Sequence, residues 1–208
     1  MHNYGNTPVR IQASTSQVID TLAFNGCTIY DVGFSSTYAI VNSNSADYIN
    51  NIYFNYCTIY NFKGSLVLRT VAAPVVATMG TISVTNCTIN QGMQDAGTAR
   101  YLIDANNTTI TNGITIRNTI FGSAGAAMGA NGVRRATGVD LSITGSYFTT
   151  DYVDDPVNVV TSYSIKNFMT AYPVASTTLW NDPILGNFTI KDYTFAGKGV
   201  AGDLRWVK

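Results

Sequence analysis

The sequence predicts an almost all-β chain wound as a right-handed parallel β-helix, a solenoid with rungs of about thirty residues. Three observations lead to this fold. The segments LAFNGCTIYDV (22–32), IYFNYCTIYNF (52–62) and ISVTNCTINQG (82–92) repeat at a fixed step, setting Cys27, Cys57 and Cys87 thirty residues apart. Glu, a strong helix former, is absent, whereas Thr, Asn, Ser, Gly, Ile, Val and Tyr, the residues of strands and turns, are abundant. Tight hairpin signals are missing from the repeat, which argues against the four antiparallel strands per blade of a propeller.

Residues 1–20 read as a partial first rung, with VRI at 9–11 as a strand. No amphipathic helix covers that end, so the natural protein is expected to extend before Met1, as part of a larger multidomain chain. Residues 21–148 form the regular rungs. Their frame is two alternating apolar residues, a bend residue, Cys, Thr, Ser or Tyr, and then Ile or Phe, and it continues in ITIRNTIFG (114–122), LSITGSYFT (141–149) and FTIKDYTFA (188–196) with Thr119, Ser146 and Tyr193 in the cysteine position. Second apolar stretches, TYAIV (37–41), GSLVLR (64–69), RYLID (100–104) and NGVRR (131–135), supply a further strand per rung. Segments 65–81 and 122–131 are expected as longer loops. Residues 149–187 break the period and read as a long excursion. The chain is expected to re-enter the ladder at FTIKDYTF, so that 188–208 make the last rung and a C-terminal cap of Trp206 and Val207, the whole being one domain.

Stacking converts the repeat into columns about 4.8 Å apart from rung to rung. Leu22, Ile52, Ile82, Ile114, Leu141 and Phe188 are one expected interior ladder, and the Ile or Phe residues at 29, 59, 89, 121, 148 and 195 another. The three cysteines stack inside as small buried residues, spaced beyond the roughly 3.8 Å Cβ separation of a disulfide.

Composition limits the chemistry. His2 is the only histidine, which removes Ser-His-Asp and Cys-His systems and zinc hydrolases. All 12 acids are Asp, so of the two-carboxylate glycosidases only an Asp-based version survives. With 12 basic residues balancing them there is no electrostatic reason to expect nucleic acid or an anionic membrane, and no apolar run approaches the ~20 residues of a membrane span. Along the rungs Asp20, Asp31, Asp47, Asp95, Asp104 and Asp140 are scattered. The one local cluster, Asp151, Asp154 and Asp155 before Pro156, is the only place for Ca²⁺, and a solvated turn is its plainer reading. No other cofactor is expected.

Outward positions are richer. Tyr30 and Tyr60 share a column continued by Asn90; Tyr53 points outward on its strand; Tyr56 lies at the bend; Tyr38 and Tyr101 border the second-stretch strands. Tyrosine on a flat, rigid sheet suits sugar recognition, because the ring packs on pyranose C–H groups while the phenol and nearby amides bind hydroxyls. The same residues also serve as cladding beneath loops. Arg69, Arg100, Arg134 and Arg135, with Asp104 on the strand of Arg100, form a basic stripe that either grips acidic sugars or pairs internally. The candidate ligand-binding set is therefore Tyr30, Tyr38, Tyr53, Tyr60, Asn90, Arg69, Arg100 and Asp104. Trp180 is either a loop anchor or a sugar platform.

The NCTIY-type rung, SYFTTDY (146–152), the Asp182–Pro183 pair, FTIKDYTF and the ending GDLRW together resemble the secreted right-handed β-helix domains of Bacteroidetes polysaccharide-utilisation proteins. Those domains commonly end in Gly-Asp-Pro-Arg-Trp, and here Leu204 stands in the proline's place. The resemblance implies a secreted or cell-surface setting, a polysaccharide partner and a closing-cap role for Arg205. Its fold is shared by pectate lyases, related hydrolases and non-catalytic xylan-binding modules, so it implies no single activity. The thin supply of catalytic groups favours a monomeric, non-catalytic carbohydrate-binding module for a xylan-like or pectin-like plant polysaccharide. A polysaccharide lyase or Asp-dependent glycoside hydrolase, using Asp104 or the 151–155 cluster with an Arg, is the alternative, and a structural stalk without a glycan site is the plainest.

Overall fold

A computed structural model describes residues 1–12, 17–35, 39–45, 47–70, 78–94, 100–124, 132–136, 138–154 and 162–207. The expected solenoid is present: three sheets of parallel strands wind through successive rungs, with almost no helix. The first sheet stacks Val18–Asn25, Tyr48–Asn55, Thr81–Thr85, Ile114–Arg117 and Leu141–Thr144. In register, Leu22 sits on Ile52, Ile52 on Ile82, Ile82 on Ile114 and Ile114 on Leu141, steps of 30, 30, 32 and 27 residues. The second sheet stacks His2–Tyr4, Thr28–Val32, Thr58–Phe62, Thr88–Asn90, Ile120–Phe121 and Tyr147–Phe148, with Thr170–Ala171 as a seventh strand. The third stacks Val9–Arg10, Ala39–Asn42, Ser65–Leu68, Ile103–Ala105 and Val133–Arg135, and Ser162–Tyr163 closes it antiparallel.

The corner between the first and second sheets explains the cysteine column. Gly26, Tyr56, Asn86, Asn118 and Gly145 all adopt positive φ, between 48° and 62°, which turns the chain sharply in one residue. The next residue's side chain then donates back across the turn. Cys57 Sγ lies 3.3 Å from the Asn55 carbonyl, Cys87 Sγ 3.3 Å from that of Thr85, Thr119 Oγ1 3.1 Å from that of Arg117 and Ser146 Oγ 3.2 Å from that of Thr144. A thiol or hydroxyl is required, which is why Cys, Thr and Ser interchange there. Burial pushes the Cys87 thiol well up. Cys57 Sγ also lies 3.3 Å from the Phe24 carbonyl of the neighbouring rung. All three cysteines are free.

Two expected interior members are corrected. Phe188 and Phe195 do not extend the ladders, because Asn187–Ile190 pairs antiparallel with Trp180–Asp182 instead of stacking on Leu141–Thr144. The seventh strand of the second sheet is Thr170–Ala171, inside the expected excursion, and the FTIKDYTF segment belongs to a strap that leaves the solenoid. Tyr193, expected in the cysteine position, is 77% exposed. The strap forms its own apolar core of Leu179, Trp180, Phe188, Ile190, Phe195 and Ala201 against Tyr60, Ile120 and Tyr172 on the outside of the second sheet. No helix among the described residues is long and apolar enough to cross a membrane.

Candidate functional site

The tyrosine column lies where the phase put it, on the outer side of the second sheet. Tyr30 and Tyr60 stack at 4.9 Å between ring centroids and 2° between planes, and His2 stacks on Tyr30 at 5.0 Å. The open face expected there is corrected: Tyr60 is only 8% exposed and Asn90 1%. Phe188 of the strap packs edge-on against Tyr60 at 5.3 Å, and the Tyr60 hydroxyl lies against Gly186, where an added Cβ would sit 2.4 Å away. Burial pushes the Tyr60 phenol up. Asn90 is spent on the next rung, accepting from Ser123 N at 2.8 Å. Trp180, 1% exposed, anchors the strap through Phe188.

The ending GDLRW latches the strap down. Asp203, whose side chain is fully buried, accepts from Thr58 Oγ1 at 2.7 Å, from Arg205 N at 3.1 Å and from Arg205 Nε at 3.0 Å, while its own N–H donates to Thr88 Oγ1 at 3.0 Å. Arg205 reaches on to the Cys27 carbonyl at 3.2 Å, and Trp206 Nε1 donates to Thr58 at 2.6 Å. Gly202, at φ +80°, approaches Ile120 so closely that a Cβ would stand 2.7 Å from its Cδ1. The expected cap therefore covers the flank of the early rungs, running back along the second sheet, and not the last rung. Its far end is tied by Tyr172, whose hydroxyl donates to Asp192 and whose phenol is pushed up to about 12, by burial first and that bond second.

The third sheet resolves the basic stripe. Arg69 is corrected from outward to fully buried; its guanidinium donates to the Ser43 carbonyl at 2.5 Å and lies over the Tyr48 ring, and burial lowers its pKa. Asp104, 7% exposed, takes a two-pronged pair from Arg134, Nε at 2.8 Å and Nη2 at 2.6 Å, and Arg134 also covers Tyr101 at 4.6 Å. That hydrogen bond raises the Arg134 pKa. Arg135 lies over Tyr163. Arg100 is part-exposed beside this unit in sequence, and Tyr38 lies outside the described residues.

The acidic cluster is dispersed. Asp151 accepts from Ser176 N and Oγ at the foot of the strap, and Asp154 accepts from Ile165 N at 2.6 Å and Lys166 N at 3.0 Å. Asp155 lies outside the described residues, and among those described no three potential ligands converge as for a metal.

The outer face of the first sheet is different: its outward side chains remain exposed or part-exposed, Thr85 excepted. One column runs Ala23, Tyr53, Ser83, Thr115, Ser142, and its neighbour Asn25, Asn55, Thr85, Arg117, Thr144. Asn55 donates to Asn25 Oδ1 at 2.9 Å, and Ser83 and Thr85 bond at 3.2 Å, so the amides and hydroxyls are held in rows. Of the expected tyrosines, Tyr53 is the one on this face. Its polar neighbours carry no aromatic signal in the sequence, but continuing the Tyr53 column at the repeat step reaches Ser83, Thr115 and Ser142.

No curated protein and no solved structure matches the chain. A family model described as a domain of unknown function, DUF5123, matches residues 82–206, from the third strand of the first sheet to the latch tryptophan. That span is more than half of the 208 residues, and the chain belongs to this family.

Proposed function

We propose that the chain is a non-catalytic carbohydrate-binding β-helix module that holds an extended neutral plant polysaccharide such as xylan on the outer face of the first sheet. The observation that carries this reading is the pair of in-register columns there: hydroxyls and amides repeat at each rung around the Tyr53 ring, with Arg117 as the one cation in them. A strand spacing of about 4.8 Å gives a rigid lattice of donors and acceptors that loses little entropy when a chain of hydroxyl groups lies across it. Tyr53 supplies the apolar ring face. A secreted or cell-surface setting and attachment to a larger glycan-degrading protein go with this reading.

Affinity electrophoresis against xylan and polygalacturonate, run beside an ultraviolet assay for unsaturated uronide products, tests it. Retardation by xylan without product is expected, with Tyr53→Ala weakening retention about tenfold, equivalent to about 1.4 kcal/mol. Product formation would replace the module with a lyase. No retardation by any polysaccharide would leave a structural stalk.

A further inference from the structure

A second feature is independent of that face. The second-sheet strands carry an outward kink at one stacked position: Asn3, Asp31, Asn61 and Gln91 all have φ between 49° and 54°. Asn and Asp tolerate this left-handed backbone, and the kink throws their side chains out of the sheet as a row. The row is directional. Gln94 Nε2 donates to Asn61 Oδ1 at 2.9 Å, which turns the Asn61 amide so that its nitrogen donates to Asp31 Oδ1. The chain of amides ends on a carboxylate whose other oxygen has no hydrogen bond among the described residues.

That carboxylate lines an open groove of about 500 Å³, with Asn3, Gly5, Phe34 and Asn61 as the other walls, a volume within the range of small-ligand sites. Phe34 is 45% exposed, yet it is not on a loose loop. Gly33 N donates to the Tyr4 carbonyl at 2.9 Å and Ser35 N to the Gly5 carbonyl at 2.5 Å, so the backbone that carries the ring is held by hydrogen bonds on both sides. Gly5 permits the approach, because a Cβ there would stand 2.6 Å from Ser35 Oγ. An exposed aromatic ring on a held backbone, an oriented carboxylate and a carboxamide in one groove are the groups that hold a pyranose: the ring takes the C–H face, the carboxylate accepts from adjacent hydroxyls, and the amide fixes orientation.

We infer that the Asn3–Asp31–Phe34–Asn61 groove is a second saccharide site, selective for neutral over acidic sugars. The selectivity follows from Asp31, since a uronate carboxylate placed there meets a like charge. The inference extends the carbohydrate-binding reading to a site off the first-sheet face, and two sites on one rigid solenoid raise avidity for a long chain without new contacts.

The test uses isotope-labelled whole chain, titrated with xylohexaose and separately with hexagalacturonate, while Phe34 and Asn61 side-chain resonances are followed by NMR. Xylohexaose is expected to shift both, Phe34→Ala and Asp31→Ala to weaken that binding about tenfold, and Tyr53→Ala to leave it unchanged. Xylohexaose shifts confined to the Tyr53 face would overturn the groove while leaving the module reading intact. Groove shifts with Tyr53 resonances unmoved would retain the groove and overturn the face. Equal shifts by hexagalacturonate would overturn the selectivity. No shift anywhere in a folded chain would overturn both sites. Asp31→Asn, which keeps size and shape, separates loss of charge from loss of fold: it is expected to narrow the difference between the two oligosaccharides.

Discussion

Replacing Asp203 by Ala is the sharpest test of how the strap is held. The carboxylate is buried and takes hydrogen bonds from the Thr58 hydroxyl and from the backbone and guanidinium of Arg205. Hydrogen bonds to charged groups contribute about 1.5–3 kcal/mol each, and removing one partner of a buried ion pair costs about 3–5 kcal/mol. The Arg205 side chain is 46% exposed and recovers water when released, so the loss belongs at the low end, about 3 kcal/mol. The location of the damage is also determined. Trp180, Phe188 and Ile190 pack on the solenoid and meet the latch through Trp206, whose ring lies edge-on to Phe188 at 5.9 Å, so fraying is expected chiefly at 202–207 and not across the whole strap. Urea unfolding gives the first quantity and native-state hydrogen exchange the second. Asp203→Asn, which keeps an acceptor but not the charge, should lose about half as much, because neutral hydrogen bonds are roughly half as strong. A change below about 0.5 kcal/mol for Asp203→Ala, or loss of protection at 180–190 together with 202–207, would refute the reasoning.

Three further outcomes are expected. Cys57→Ser should keep the corner hydrogen bond to Asn55 and stay within about 1 kcal/mol of the parent, whereas Cys57→Ala leaves buried carbonyls short of a donor and costs about 1–3 kcal/mol more, read from urea midpoints. Asp154 has a folded carboxyl raised above its ordinary value, by burial ahead of its hydrogen bonds, so the folded state holds its proton more tightly than the unfolded chain. Its contribution is therefore fully present below the ordinary carboxylate range and is lost as pH rises through the raised folded value; Asp154→Asn should remove that slope, and parallel pH profiles for the two proteins would sink the idea. Tyr60→Ala should act on stability, by about 3–5 kcal/mol as for a buried aromatic, while xylan retention per folded molecule stays at the parental level on affinity gels.

The solenoid was legible because equivalent residues stack: a thirty-residue step and a bend before Cys, Thr or Ser recur wherever one rung lies on another. Even the bend chemistry was partly visible, since Asn and Gly are residues that accept positive φ. The strap was not legible, for a physical reason. Period-2 alternation states which side of a strand is apolar but not what packs there, and FTIKDYTF alternates as a rung does while pairing antiparallel with Trp180–Asp182. The same limit applies to Tyr60: its outward phase was readable, its cover was not. Arg69 was hidden differently. A charged residue ending an apolar strand reads as surface, and its burial depends on carbonyls at Ser43 and Ser45 that converge only in three dimensions.

The latch also ties the span matched by the family to rungs that lie before it. The matched span begins at Ile82 and ends at Trp206, yet Asp203, Arg205 and Trp206 reach Cys27, Thr28 and Thr58, which lie before it. Those anchors are repeat positions: Thr28, Thr58 and Thr88 follow the three cysteines and stack in register. A strap that binds the hydroxyl row of a repeated Cys-Thr-Ile unit needs that unit, not a particular rung. The C-terminal span can therefore close over rungs whose remaining residues are free to differ. Of the groups proposed to meet a ligand, Asn25, Tyr53 and Asn55 of the first sheet and the kinked row at Asn3, Asp31 and Asn61 lie on those earlier rungs.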